Sequence, residues 1–355
     1  SASCEVTEDD TELWSISKNV FNDVISENMR RELEYRSKLQ DTTVHMKLIV
    51  HVRLIGAGSF GSVRLVEHKY TRLRYALKRI KKVNGEVPAA VRSECALLSE
   101  IDHPFILHLV KTFDTASSCY ILTELITGGQ LHEQMGKMGV LNRKQAQFYV
   151  GSLVLILEYL HGKGIVYRDL KPENVMLDMQ GYLQLVDFGL AKKLVEGKTY
   201  TLAGTLLYMA PEVFLGHGYA ISVDLWSLGV MFFEFVCGCM PFGDEHPDDD
   251  SLIIDSILNE EWTCPSSYND SAGKKLMQGL LIREPATRLG AGLNGFDEIK
   301  QNKYFKQGVS GDLFSKIIGR ELDPPVAPEE EHFSDARYLE ETITLSDEGE
   351  LGSDG

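Results

Sequence analysis

Cysteine is scarce in this chain. Six residues in 355, at positions 4, 95, 119, 237, 239 and 264, include no Cys-x-x-Cys pair. That spacing excludes a disulfide scaffold and the common zinc motifs, and leaves reduced thiols, the pattern expected of a cytoplasmic protein. Basic charge is also short, with 36 Lys and Arg against 52 Asp and Glu and a net charge of −16. Twelve of those acids lie between 321 and 355 beside the single Arg337, so −11 of the total sits in the tail. A surface of this sign does not suit nucleic acid as a partner. Long hydrophobic runs are missing too. "FYVGSLVLILEYL" (148–160) is too short to span a bilayer, and "VDLWSLGVMFFEFVCGCM" (223–240) is interrupted by Asp224 and Glu234. Both read as buried core helices, and no transmembrane segment is expected. Internal repeats are absent as well, and no signal peptide is visible; the missing initiator methionine leads us to expect a piece cut from a longer protein, whose own start the sequence does not show.

What is present is enough apolar material for two lobes, 43% of the residues. Residues 48–80 alternate Val, Ile, Leu and Tyr with glycine breaks and predict three successive antiparallel strands. "PAAVRSECALLSEI" (88–101) opens on proline and carries apolar residues at helical spacing, predicting one helix. "FILHLV" (105–110) and "CYILTEL" (119–125) predict two more strands, and "ITGG" (126–129) a hinge. From Arg143 onward helical periodicity dominates, apart from short apolar runs at 175–177 and 183–186. Beyond Asp323, prolines and acidic runs predict an extended or disordered tail.

The chemistry-bearing residues are distributed along this plan. "GAGSFGSV" (56–63) matches Gly-x-Gly-x-x-Gly-x-Val. A bare hairpin explains such a turn as readily as a nucleotide site does, but strands on both sides distinguish it from the strand-to-helix turn of a dinucleotide fold. Its glycines would let backbone N–H groups approach phosphate, with Val63 covering a base. Lys78 in "YALKRI" is costly near buried strand positions unless paired, and Glu94 on the following helix is the natural partner. "YRDLKPEN" (167–174) and "DFG" (187–189) then supply Asp169, Lys171, Asn174 and Asp187. Those are a carboxylate to accept a hydroxyl proton, a cation to offset developing charge, and oxygen ligands for magnesium, which together are the needs of phosphoryl transfer.

With "GTLLYMAPE", "DLWSLGV" and Arg288, these motifs resemble the eukaryotic protein kinase family over about residues 50–305. The resemblance implies an α+β, two-lobed fold, a β-rich small lobe and a helical large one. It makes Asp169 the catalytic base, Lys171 a γ-phosphate contact, Asn174 and Asp187 the Mg2+ ligands, and Lys78, tied to Glu94, the holder of the α- and β-phosphates of ATP. It assigns the nucleotide pocket to Ile55, Gly56, Ala57, Gly58, Ser59, Phe60, Gly61, Ser62, Val63, Ala76, Thr123, Glu124 and Ile126, with Thr123 as a small gatekeeper. Lys171 favours serine and threonine over tyrosine as acceptor. Glu212 with Arg288, and Asp224 under the catalytic loop, are expected to be structural.

Within the family, the chain resembles the AGC group, whose activating phosphate would fall on Thr201 with Arg168 and Lys192 as basic partners. Thr205 is expected to face Asp169 near the substrate. Leu206, Leu207 and Gln130 stand where that group usually has Pro, Glu and Glu, which weakens arginine selection. Glu173 and Glu234 keep protein substrates with basic residues near the target the expected partners.

"ILTELITGGQL", "GYLQLVDFGLAKKL" and "GRELDPPVAPE" resemble the cGMP-dependent kinases of single-celled alveolates. The opening "SASCEVTEDDTELWSISKNVF", with Leu13, Trp14, Ile16 and Phe21, resembles the end of a cyclic-nucleotide-binding domain. The expected organisation is therefore a remnant of that domain at 1–25, a linker helix at 26–47, the kinase domain at 48–305 and an AGC-type tail at 306–355. The rest of the cyclic-nucleotide-binding region would lie upstream. cGMP would regulate the longer protein without binding this piece.

Overall fold

Two helices lead the chain. α1 (Lys18–Val24) is capped by Ser17, whose hydroxyl accepts from the Val20 N–H at 3.3 Å. α2 (Glu27–Leu39) follows Ser26, whose hydroxyl accepts from the Met29 N–H at 3.1 Å, so the expected linker helix has the expected cap. The computed structural model describes residues 15, 17–39, 44–58, 61–194 and 197–333. Phe21 lies on α1, while Leu13, Trp14 and Ile16 of the anticipated barrel strand lie outside the described residues.

The small lobe is a five-stranded antiparallel sheet in the order β1-β2-β3-β5-β4. Its strands are β1 (Ile49–Gly58), β2 (Gly61–His68), β3 (Arg74–Lys81), β4 (Leu109–Asp114) and β5 (Ser118–Glu124), with α3 (Ala89–Glu100) inserted after β3. Side chains alternate across a strand, so the burial of Tyr75 and Leu77 sends Ala76 and Lys78 to the opposite face. Tyr75 and Leu77 pack with Val66, Leu122 and, from the linker segment, Leu39 and Val44. The linker is thus part of the small lobe's own core. Ile80 and Ile121 meet Val91 in a second cluster that seats α3.

In the large lobe, α4 (Leu131–Met138) and α5 (Arg143–Gly162) precede the short strands β6 (Ile165–Val166), β7 (Val175–Leu177), β8 (Leu183–Leu185) and β9 (Lys192–Lys193). α6 (Pro211–Phe214), α7 (Ser222–Cys237), α8 (Asp250–Asn259), α9 (Ser271–Leu280), α10 (Phe296–Lys300), α11 (Lys303–Lys306) and α12 (Leu313–Ile318) complete it. α5 starts on a reciprocal capping box between Asn142 and Gln145. α7 is apolar on nearly every side and buried on nearly every side, with Trp226 fully enclosed, which fits a central core helix rather than a membrane span. No helix among the described residues is long and apolar enough to cross a membrane.

Two expectations need correction. "FILHLV" predicted a strand from 105, but β4 begins at Leu109. Phe105 and Ile106 are instead fully buried against the large lobe, where the Leu185 N–H donates to the Phe105 carbonyl at 2.8 Å and the Leu107 N–H to the Leu185 carbonyl at 3.0 Å. Lobe-to-lobe packing, not a sheet, uses that apolar run. The tail beyond Asp323 is extended as expected, but up to residue 333 it is held. A side chain at Gly181, whose φ is +89°, would meet the Val326 carbonyl at 1.8 Å, and the His332 N–H donates to the Thr127 carbonyl at 2.7 Å.

Candidate functional site

Sheet register assembles the first half of the cleft. Gly56 pairs with Val63, Val63 with Lys78 and Lys78 with Ile121, so the glycine-rich strand, the apolar cover and the lysine stand in one row across the sheet. The adjoining row sets Ala76 against Thr123. Gly61 has a φ of +147°, and a Cβ there would lie 1.7 Å from the Arg79 carbonyl, so the turn into β2 requires glycine. Ile55, Gly56, Ala57 and Gly58 complete β1 and Ser62 opens β2, whereas Ser59 and Phe60 lie outside the described residues. Lys78 Nζ lies 3.3 and 3.4 Å from the two Glu94 oxygens, which ties β3 to α3 as the sequence predicted.

The second half is the loop between β6 and β7. Asp224 of α7 is fully buried, and its carboxylate accepts from the Tyr167 and Arg168 N–H groups at 2.9 and 2.8 Å and contacts His161 Nε2 at 2.8 Å. One carboxylate thereby fixes the turn in which Arg168 takes a φ of +73°. Three charge-assisted bonds of this kind offset the cost of burying that charge. The Tyr167 hydroxyl donates to the Val186 carbonyl at 2.5 Å, and its ring meets the buried Phe188 edge-on at 5.3 Å. Burial, with Asp187 and Asp169 nearby, pushes the phenol's pKa well above its usual value, so it stays a donor. The loop before Asp187 is held to the loop before Asp169 by this tyrosine. Sequence reasoning missed its role and that of His161; a tyrosine immediately before "RDLKPEN" was the available signal.

Asp169 is the centre of the network. Its Oδ1 accepts from Thr205 Oγ1 at 2.7 Å, and its Oδ2 accepts from Asn174 Nδ2 at 2.7 Å and lies 3.1 Å from Lys171 Nζ. Lys171 Nζ also donates to Thr205 Oγ1 at 2.6 Å. Asp187 takes a left-handed φ of +57°, steadied by the Gly189 N–H on its Oδ1 at 3.1 Å. The structure therefore gathers Asp169, Lys171, Asn174 and Thr205 into one cluster. Each was named from the sequence.

The activation segment follows β9. Lys192 Nζ donates to the Thr199 hydroxyl at 3.1 Å, two residues before Thr201. Thr201 is exposed, and its carbonyl accepts from the Tyr219 hydroxyl at 2.5 Å, which itself accepts from Arg168 at 3.3 Å. Arg168 reaches the threonine's backbone through Tyr219, and Tyr219 was not foreseen. Tyr208 donates to Glu234 at 2.8 Å, and burial raises the Glu234 pKa. Glu173 lies 3.9 Å from His132. Glu212 and Arg288 form a buried two-bond pair at 2.6 and 2.8 Å, the structural contact predicted for them.

At the hinge, the Thr123 hydroxyl donates to the Glu124 carbonyl at 3.1 Å. The Glu124 carboxyl faces inward and accepts the His108 N–H at 2.6 Å, and burial pushes its pKa up to about 7. Ile126 lies just beyond, partly buried. α2 spans the two lobes here. Buried Arg36 donates to the His103 carbonyl at 2.5 Å and pairs with Asp102 at 3.1 Å. At its other end Ser26 donates to the Gly319 carbonyl, and Asn28 to the Arg320 carbonyl at 3.3 Å. Arg320 is fully buried, pairs with Asp178 at 2.6 Å and lies 4.7 Å over the Tyr182 ring. The tail adds an Arg74–Glu331 pair and sets Phe333 3.8 Å from the Arg53 guanidinium on β1.

Fold and site together define a phosphotransferase of the protein kinase type, and the chain belongs to the protein kinase family. The model for the "protein kinase domain" matches residues 49–305. The chain is 44% identical over 337 residues to the cGMP-dependent protein kinase of Plasmodium berghei, covering 94% of this chain and 39% of that one. It is 43% identical to that of Toxoplasma gondii over 97% of this chain and 35% of that one, and 42% identical to that of Eimeria tenella over all of this chain and 36% of that one. The chain thus spans little more than a third of the length of these relatives. Use of ATP and Mg2+ goes with the family.

Proposed function

We propose that this chain transfers the γ-phosphate of ATP to serine or threonine hydroxyls of protein substrates. The observation that carries the reading is the Thr205 hydroxyl, held 2.7 Å from the Asp169 carboxylate and 2.6 Å from Lys171 Nζ. A substrate hydroxyl in the same relation would give its proton to Asp169 as it attacks, while Lys171 offsets the charge that develops on the transferred group. Lys78, oriented by Glu94, would hold the α- and β-phosphates. Asn174 and Asp187 would hold magnesium, which supplies charge neutralisation along the phosphates when bound. Their chemistry fits: the Asn174 amide nitrogen is spent on Asp169, leaving its oxygen, and Asp187 contributes carboxylate. Among the described residues no cluster of three or more His, Cys, Asp or Glu suits a metal on its own.

Substrates with basic residues near the target suit Glu173 and Glu234, and a phosphate on Thr201 would find Arg168 nearby. The names and lengths of the three relatives, with α1 and α2 ahead of the kinase lobes, support a further reading: the chain is the catalytic part of a cytoplasmic cGMP-regulated kinase whose nucleotide-binding domains lie upstream. Radiolabelled phosphate transfer to a basic serine peptide tests the activity; no transfer with intact ATP binding would point to a pseudokinase scaffold. Calorimetry with cGMP tests the second reading, which expects no saturable binding to this chain.

A further inference from the structure

Three of the six cysteines come together at one corner of the large lobe. Cys237 is the last residue of α7, Gly238 ends the helix with a φ of +72°, and Cys239 follows the turn. Cys264 lies on the connection from α8 to α9, where residues 261–265 form neither helix nor strand and Pro265 disfavours helical backbone at the residue before it. Phe233 meets Trp262 edge-on at 5.7 Å and sets the register of the two segments. Residues four apart share one face of a helix and residues two apart share one side of an extended chain, at similar steps of about 6 and 7 Å. Cys237 and Cys264 therefore form the next rung after Phe233 and Trp262. All three cysteines are half-buried free thiols packed on the edge of the large lobe's core.

The thiols of this rung differ in reactivity. Burial raises the pKa of all three cysteines, and that of Cys237 to about 12, where Cys264 beside it adds to the effect. Cys264 is drawn back by its contact with Cys237 and by the Lys274 ammonium. It also lines a surface cavity of about 460 Å³ with Thr263, Lys274, Gln278 and Arg283. A small polar oxidant thus reaches Cys264, with a cation at hand for the thiolate, while Cys237 stands against it as a resolving thiol. Among the described residues no group of three or more His, Cys, Asp or Glu is arranged to hold a metal ion, so these thiols are open to chemistry with one another.

We propose that Cys264 and Cys237 form a reversible disulfide under hydrogen peroxide, stapling the α8–α9 connection to the end of α7. The Cys264 thiolate attacks one peroxide oxygen and becomes a sulfenic acid as hydroxide leaves. The Cys237 thiolate then displaces hydroxide from that sulfur, so that two thiols and one peroxide give one disulfide and two waters. Glutathione restores both thiols by exchange. The test exposes the reduced whole chain to millimolar peroxide, caps the remaining thiols with iodoacetamide and digests after glutamate. That digestion places Cys237 and Cys239 on residues 235–245 and Cys264 on residues 262–284. Mass spectrometry is expected to find the two fragments joined, with fragmentation locating the bond at Cys237 in the unaltered chain, and to lose the joined species after dithiothreitol. Cys239→Ser should keep its yield, whereas Cys237→Ser should remove most of it. Amide exchange at residues 260–268 should slow on oxidation and recover on reduction, because a staple closes the local opening that exchange requires. A bond from Cys239 to either of the other two cysteines, Cys264 oxidised to sulfinic acid without a link, thiols that all remain open to iodoacetamide, or unchanged exchange would overturn the proposal.

Discussion

The catalytic loop and the linker helix are both held by buried charge, but the charge acts over different distances. Asp224 fixes Tyr167 and Arg168 by bonds to adjacent backbone groups and meets His161 a few residues upstream, so what it organises lies within one short stretch of chain. Arg36 of α2 reaches the His103 carbonyl and Asp102, and Arg320, itself paired with Asp178, meets α2 at Glu32. The first arrangement builds chemistry and the second sets where the lobes stand. Removing the first should destroy transfer; removing the second should loosen a contact and leave the reacting groups in place.

Asp169→Asn breaks the comparison on the catalytic side most severely. Phosphate transfer should fall by about 10³–10⁴-fold while ATP affinity is retained, measured by single-turnover transfer alongside nucleotide titration. Asp224→Asn leaves buried N–H groups poorly matched and should cost about 3–4 kcal/mol of unfolding free energy in denaturant titration, with activity lost as well.

Glu124 tests the hinge between the two regions through pH. Its pKa is raised to about 7 by burial, so the folded state holds a proton that the unfolded chain releases near 4.5. The folded form is therefore favoured at low pH, and stability contributed by this group declines as pH rises from about 4.5 through about 7, by on the order of 2–3 kcal/mol. Glu124→Gln should flatten that slope. An unchanged pH profile would mean the carboxyl is already ionised and compensated.

On the linker side, Arg36→Met should cost about 2 kcal/mol and speed tryptic release of α2, while leaving ATP affinity within about twofold. Equal loss of ATP binding would erase the distinction between the two regions. Arg74→Ala should be the mildest, below about 1 kcal/mol, because the pair with Glu331 is partly exposed. Its mark would be faster amide exchange at residues 331–333.

The reacting groups and their local frame were legible in the residues themselves. Lys78 with Glu94, Asp169 with Lys171 and Asn174, and Asp187 before its glycine were readable because phosphoryl transfer restricts residue type at fixed short spacing. The β-rich then helical order was readable because strand and helix periods differ. What depends on distant partners emerged with the folded chain: that "FILHLV" packs between lobes instead of pairing from 105, that Lys192 meets Thr199, that Tyr219 links Arg168 to Thr201, and that Arg36 and Arg320 hold α2. The difference is physical. A motif encodes groups that neighbouring residues position, whereas buried Arg36 and Arg320 find their acceptors 67 and 142 residues away, and nothing in their own stretches of chain records which they are.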